Sequence, residues 1–202
     1  MDLSVKTYLN NPCGTLSIPY WKAKNLVIPD SIVILHHTQF QNQFNEYQSF
    51  FRLLHPLNEA FFPSCEIKTI SALEDVLPLL NVCFEKEDIN LSISDLIKMQ
   101  EHPVYNRNLW VGIEENGNLI ACGIAEFDVE INEGIIEWLC VLPNYQRKGI
   151  GRKIVNELCY RLKEFGATFV TVSGRIGNTS NPESFYRSCG FLGSDVWYIC
   201  EK

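Results

Sequence analysis

The stretch from Ile135 to Phe165 constrains this chain most. Ile135 to Val141 is an apolar, β-branched run and reads as a strand. Pro143 closes it, because proline cannot donate to a sheet ladder. A polar turn with two glycines follows, Asn144-Tyr145-Gln146-Arg147-Lys148-Gly149-Ile150-Gly151. Ile150, Ile154, Leu158 and Leu162 then recur along one helical stripe. Gly166 stands where a left-handed residue ends such a helix. Thr168 to Val172 is the next strand. A strand, an amphipathic helix and a second strand make a crossover between parallel strands, which excludes an all-helical chain and a purely antiparallel sheet.

The turn is also the best candidate for chemistry. Glycines let a backbone bend tightly and approach a ligand. The first N–H groups of a helix have no partner within it, and the helix dipole adds partial positive charge there. The combination is a cradle for phosphate, to which Arg147, Lys148, Arg152 and Lys153 add whole charges. Spacing excludes two nucleotide motifs. The P-loop pattern is absent, and a dinucleotide fingerprint needs a third glycine where Ile154 stands. A bare G-x-G reads first as a tight turn and nothing more.

The formal net charge of −7 excludes a general nucleic-acid binder, which needs a basic footprint. Against that acidic background, residues 144–165 carry six bases and two acids. Such an island points to a local anionic ligand. The chain has 46% hydrophobic residues and 24 aromatics, enough for a sizeable core. Its eight cysteines form no CxxC pair and several lie in apolar runs, so reduced, buried thiols are expected. His36, His37, His55 and His102 lack metal-ligand spacing with each other or with cysteine pairs, so no metal is expected. No apolar run approaches the roughly 18 residues of a membrane span, and Met1 to Asn10 has no signal-peptide pattern. A cytoplasmic protein without a membrane partner is expected, as monomer or homodimer.

Residues 1–65 read as an aromatic-rich extension, with a strand at Ser31 to Leu35. Phe44, Tyr47, Phe51 and Leu54 fall on one helical face, so a helix is predicted over Gln41 to Leu54. From residue 66 to 202 the signals are regular. They predict a strand at Glu66 to Ile70, then a helix opened by a Ser71-x-x-Glu74 capping box and kinked or shortened at Pro78. A helix over Ser92 to Glu101 follows. Asn116-Gly117 between two apolar runs predicts a type I′ hairpin. Asn181 caps a short helix with Pro182 at its first position, and a last strand covers Val196 to Cys200. The order β-α-α-β-β-β-α-β-α-β implies an α/β chain of the α+β kind, with a mixed sheet and helices on its faces.

Two signatures occur in order. Gln146-x-x-Gly149-x-Gly151, preceded by Val141-x-Pro143, resembles the acyl-CoA-binding motif of the GCN5-related N-acetyltransferase (GNAT) family. Asn181-Pro-Glu-Ser-Phe-Tyr186-Arg-Ser-Cys-Gly190-Phe191 resembles that family's C-terminal signature. The resemblance covers roughly residues 66–202. It implies a GNAT-like domain there, with acetyl-CoA as co-substrate and a primary amine as acceptor, attacking the thioester directly in a ternary complex. By position, the backbone of Leu139, Cys140 and Val141 would hold the acetyl and pantetheine groups. The N–H groups from Gln146 through Arg147, Lys148, Gly149 and Ile150 to Gly151 would hold the pyrophosphate, with the Arg147, Lys148 and Arg152 side chains reaching phosphates. Tyr186 matches the family's general acid. Glu137 is the candidate base, or a surface glutamate. Asn178 and Asn181 both stand where the family's pantetheine-binding asparagine could fall. Cys140 has no histidine near it in sequence and reads as a buried thiol rather than an acyl relay.

Glu126, Asp128 and Glu130 alternate along one strand face, with Glu133 at the turn, and Glu85, Glu87 and Asp88 lie between the first two helices. They would either attract a cationic amine or be plain solvated acids. A small amine is the favoured acceptor and a protein amine the second. Tyr20-Trp21 and Phe61-Phe62 would either line its pocket or pack the core. A non-catalytic acyl-CoA-binding or sensing module is the alternative function.

Overall fold

The computed structural model describes residues 4–24, 26–87 and 89–202. The chain divides into two compact units. One comprises Met1–Pro56 with Thr171–Lys202, the other Leu57–Val170.

The Leu57–Val170 unit holds the expected regular elements. β3 is only Lys68–Thr69, shorter than the predicted strand. Helix α4 spans Leu73–Phe84. Its N-cap is Ala72 with no side-chain cap, so the predicted Ser71 capping box does not form. Pro78 lies inside α4 without ending it. Burial of Val76, Leu79 and Leu80 on either side of that position holds the helix together, against a local cost of about 3 kcal/mol for an interior proline. Helix α5, Ile93–Gln100, does open on a capping box, between Ser92 and Asp95. That box holds the Asp95 carboxyl below the usual range, through the Ser92 hydroxyl and then the Ser92 amide.

β4 (Trp110–Glu115) and β5 (Asn118–Asp128) form the predicted hairpin. Asn116 and Gly117 have the positive φ values a type I′ turn requires, 52° and 78°. β5 pairs with β6 (Glu133–Val141), and within this unit the strand order is β6-β5-β4-β3. Helix α6 covers Ile150–Glu164, and Gly166 follows at φ 101°. Ile154, Leu158 and Leu162 of the predicted stripe are fully buried. Gly123 and Gly134 are what let α6 lie close. A Cβ on Gly123 would stand 2.5 Å from Ile154 Cγ2, and one on Gly134 would stand 2.7 Å from Leu162 Cδ1. The other sheet face carries a core of α4 and α5 side chains against Trp110, Cys122, Ile124 and Cys140. β7, Phe169–Arg175, follows α6.

The other unit begins with three short helices, α1 (Val5–Asn10), α2 (Pro12–Thr15) and α3 (Tyr20–Ala23). β1 is Ile32–His36, near its predicted position. The predicted helix over Gln41 to Leu54 is instead strand β2, Tyr47–Pro56. Pairing with β8 (Leu192–Glu201) decides this, Tyr47 opposite Cys200 through Arg52 opposite Asp195. The helical spacing of Phe44, Tyr47, Phe51 and Leu54 is outweighed by a ladder to a strand remote in sequence. β8 also pairs with β1, and here the order is β1-β8-β2-β7. Helix α7, Pro182–Ser188, packs Tyr186 beside Phe191. Arg52 is buried and donates to Tyr8 Oη at 2.9 Å and Ser173 Oγ at 3.1 Å.

All eight cysteines are thiols outside any disulfide. Among the described residues no helix is long and apolar enough to cross a membrane.

Candidate functional site

The turn after β6 is built in three steps. Pro143–Tyr145 form one turn of 3-10 helix. Gln146 closes it, its main-chain N–H donating to Pro143 O at 3.2 Å and its Nε2 to Val141 O at 3.0 Å. Arg147 and Gly149 then take left-handed backbone, φ 61° and 80°, which swings the chain into α6. Gly149 is the N-cap, and no side chain caps this helix. The first turn carries no acid.

As a result the main-chain N–H groups of Arg147, Lys148, Gly149, Ile150 and Gly151 find no acceptor among the described residues. The amide of Gln146, expected among them, is taken by Pro143. Five open donors at the positive end of a 15-residue helix suit an anion of several oxygens. The side chains of Arg147, Lys148 and Arg152 are exposed around them. Lys148 Nζ lies 5.1 Å from the centroid of the Tyr145 ring. Tyr145 is itself fixed by donating to the Glu115 carboxylate, which raises its phenol pKa. Lys153 is bound to Glu66 at 2.7 Å.

β6 leads into this turn. Ala125 pairs with Ile136 and Ile124 with Trp138, so Glu137 is the extra residue of a β-bulge. A bulge re-aims its side chain and commonly borders functional sites. Sequence alone left open which way Glu137 faces, and the bulge breaks the alternation that would have answered it. Glu137 is half-buried and engaged. Leu139, Cys140 and Val141 complete the strand opposite Gly123, Cys122 and Ala121.

Cys140 Sγ lies 3.3 Å from Cys122 Sγ. This hydrogen bond and burial push the Cys140 thiol far up, although a hydrogen bond from Cys83 opposes them. Cys83 is raised as well, first by its bond to Cys140 and then by burial. A thiol so held is no nucleophile at neutral pH.

Tyr186, Asn178 and Asn181 belong to the other unit. Tyr186 is 7% exposed, its ring 5.2 Å from Phe185 and 5.4 Å from Phe191. Asn181 caps α7 from left-handed backbone, accepting from Ser184 N at 3.4 Å. Asn178 Oδ1 accepts from Ser180 N and bonds Ser180 Oγ, both at 2.9 Å.

The acidic strand face is not the solvated edge that one of the two expectations made it. Glu126, Asp128 and Glu133 are 2%, 5% and 0% exposed, so they are not solvated acids. Asp128 and Glu133 are cross-strand partners, and Glu126 Oε1 meets His102 Nδ1 at 2.9 Å. Only Glu130 of the alternating set is exposed. Glu85 and Glu87 form a 3-10 turn, while Asp88 lies outside the described residues. Tyr20 is buried against Tyr8, and Phe62 is 78% exposed.

A strand, an uncapped glycine turn and a cationic helix start thus stand together in a chain of the mixed α/β class. The family model described as acetyltransferase (GNAT) family matches residues 73–191, and the chain belongs to that family. No curated protein matches the sequence. Among solved structures, a GCN5-related N-acetyltransferase from Sphaerobacter thermophilus is similar at TM-score 0.65 and 14% identity, over 90% of this chain and 63% of that one. A GNAT-family acetyltransferase from Colwellia psychrerythraea is similar at TM-score 0.61 and 12% identity, over 83% and 63%. The ribosomal-protein-S18-alanine N-acetyltransferase of Escherichia coli is similar at 0.53 and 18%, over 66% and 90%. The chain thus spans 63% of the length of the first two. At these identities the likeness concerns the fold.

Proposed function

We propose that this protein transfers an acetyl group from acetyl-CoA to a primary amine, which attacks the thioester directly while both substrates are bound. The observation that carries this reading is the row of open amides from Arg147 to Gly151 at the head of α6, in a chain of the GNAT family. Acetyl-CoA supplies an activated acyl carbon. The amides receive its diphosphate through charge-assisted hydrogen bonds, and Arg147, Lys148 and Arg152 add charge. Gln146 acts by closing the turn that presents those amides. The backbone of Leu139, Cys140 and Val141 takes the acetyl and pantetheine end, and Asn178 or Asn181 bonds the pantetheine amides.

An amine at neutral pH must lose a proton before it attacks. Glu137, re-aimed by the bulge, is the base. Tyr186 is the acid that protonates the departing thiolate. Cys140 takes no covalent part, since its thiol keeps its proton. The acceptor is a small amine, with a protein amine as the second class. The Escherichia coli relative is named for a protein alanine, but 18% identity carries no substrate across.

Free-thiol detection of CoA release, with acetyl-CoA and a panel of amines, tests this. Release that depends on an added amine supports the transferase. Tight CoA binding with no release against any amine class favours the non-catalytic acyl-CoA module. Absence of CoA binding refutes both.

A further inference from the structure

Two imidazoles and a carboxylate converge in the unit that contains the chain termini. His36 ends β1, His37 follows in the turn, and Asp195 lies on β8, separated from His36 by 159 residues in sequence. One donor atom from each lies within 4.8 Å of the other two. His36 Nε2 and Asp195 Oδ1 are 3.0 Å apart, and the two imidazole centroids 4.1 Å. A neighbouring hydroxyl orients the His36 ring, and the His37 backbone is pinned to Val196. Thr38 Oγ1 bonds His36 Nδ1 at 2.9 Å. The His37 amide donates to Val196 O at 2.8 Å, and Val196 N–H donates back to His37 Nδ1 at 3.3 Å. The His36 and Asp195 side chains are 14% and 18% exposed and His37 is exposed, so the cluster is open to ions from solvent.

We propose that His36, His37 and Asp195 bind a divalent ion of zinc's class, with water completing the coordination. Imidazole with one carboxylate suits zinc and its transition-metal neighbours, whereas magnesium and calcium take oxygen donors. Bonds of roughly 2.0–2.2 Å in a tetrahedron set ligand atoms about 3.3 Å apart. The His36–Asp195 pair already has nearly that spacing. The widest separation must close by about 1.5 Å, which a side-chain rotation of exposed His37 provides by exchanging the 3.3 Å contact of its Nδ1 with Val196 N–H for the ion, since a neutral imidazole offers one lone pair. The contact from Thr38 to the second ring nitrogen of His36 is the outer-shell bond that fixes a ligand imidazole. The ion would tie the end of β1 to β8, where the ladder closes with His36 opposite Trp197. The site is independent of the acyl-transfer reading.

The test titrates the chelator-treated 202-residue chain with Co2+ and then Zn2+, following visible absorption and thermal melting. One equivalent of Co2+ should give the ligand-field bands of a low-coordinate nitrogen and oxygen site, Zn2+ should displace it, and Zn2+ should raise Tm by several degrees. His37→Ala, at an exposed position, and Asp195→Asn should each weaken Zn2+ binding by at least about tenfold, with the far-UV spectrum of His37→Ala unchanged. The proposal is overturned if Co2+ gives no such bands. It is equally overturned if both variants bind Zn2+ like the parent, or if the bands are sulfur charge-transfer bands lost in Cys83→Ser.

Discussion

Alanine at Gly149 probes the backbone position on which the open amides depend. Gly149 holds φ 80° as the cap of α6, and a Cβ there would meet no heavy atom within 4 Å. The cost is therefore conformational and not steric crowding. Left-handed backbone costs an L-residue about 1–2 kcal/mol, and the stiffer unfolded chain offsets about 0.4–1 kcal/mol of that. The net is a loss of about 1 kcal/mol, or roughly 2–4 °C in Tm for a chain of this size. Partial relief of that strain moves φ of residue 149 off 80°, which turns the amides around it away from a common anion. One lost charge-assisted hydrogen bond is worth about 1.5–3 kcal/mol, so CoA should bind about 10- to 150-fold more weakly. Calorimetric titration with CoA, alongside thermal melts, measures both effects. Gly149→Asn, which tolerates left-handed backbone, should fall between parent and alanine. An alanine variant that binds CoA with parental affinity refutes the role given to the turn.

Other outcomes follow from the same structure. Tyr186→Phe keeps the packing beside Phe185 and Phe191 and should lower kcat about 100-fold or more while leaving KM for acetyl-CoA nearly unchanged; steady-state kinetics decide. Glu157 is 3% exposed, accepts from Ser64 N and Arg161 Nε at 2.7 Å each, and holds the guanidinium that also reaches Asn108 O. Glu157→Ala leaves that guanidinium without its carboxylate and should cost about 3–5 kcal/mol in urea unfolding. Gly123→Ala drives a methyl to 2.5 Å from Ile154 Cγ2 and 2.9 Å from Leu158 Cδ1, and should cost about 1–3 kcal/mol by the same measurement. Cys140 keeps its proton when folded, first through Cys122 and also through burial, whereas the unfolded thiol releases it near roughly pH 8.5. Its contribution is whole below that pH and declines above it by about 1.4 kcal/mol per pH unit. Cys140→Ala should flatten the alkaline limb of a stability profile, and an unchanged limb contradicts the assignment.

Much of the turn into α6 was readable in the sequence. Pro143, Gly149, Gly166 and the stripe of α6 act through their own φ angles and through neighbours one to four residues away. The two GNAT signatures were readable for the same reason, being short and contiguous. The bulge at Glu137 was not, because it exists only in the register of β6 against β5. Nor was the pairing of Lys153 with Glu66, which draws one of the four expected cations into an ion pair.

By itself the sequence determined the hairpin at Asn116-Gly117, the turn into α6 and the order of elements from residue 66 onward. Each depends on torsional preference or on periodicity within one segment. Tertiary structure alone decided that Tyr47–Pro56 is a strand, that Glu126, Asp128 and Glu133 are buried, and that Asp195 joins His36 and His37. These outcomes depend on ladders and burial between segments far apart in the chain, and local composition carries no record of which partner will be adjacent.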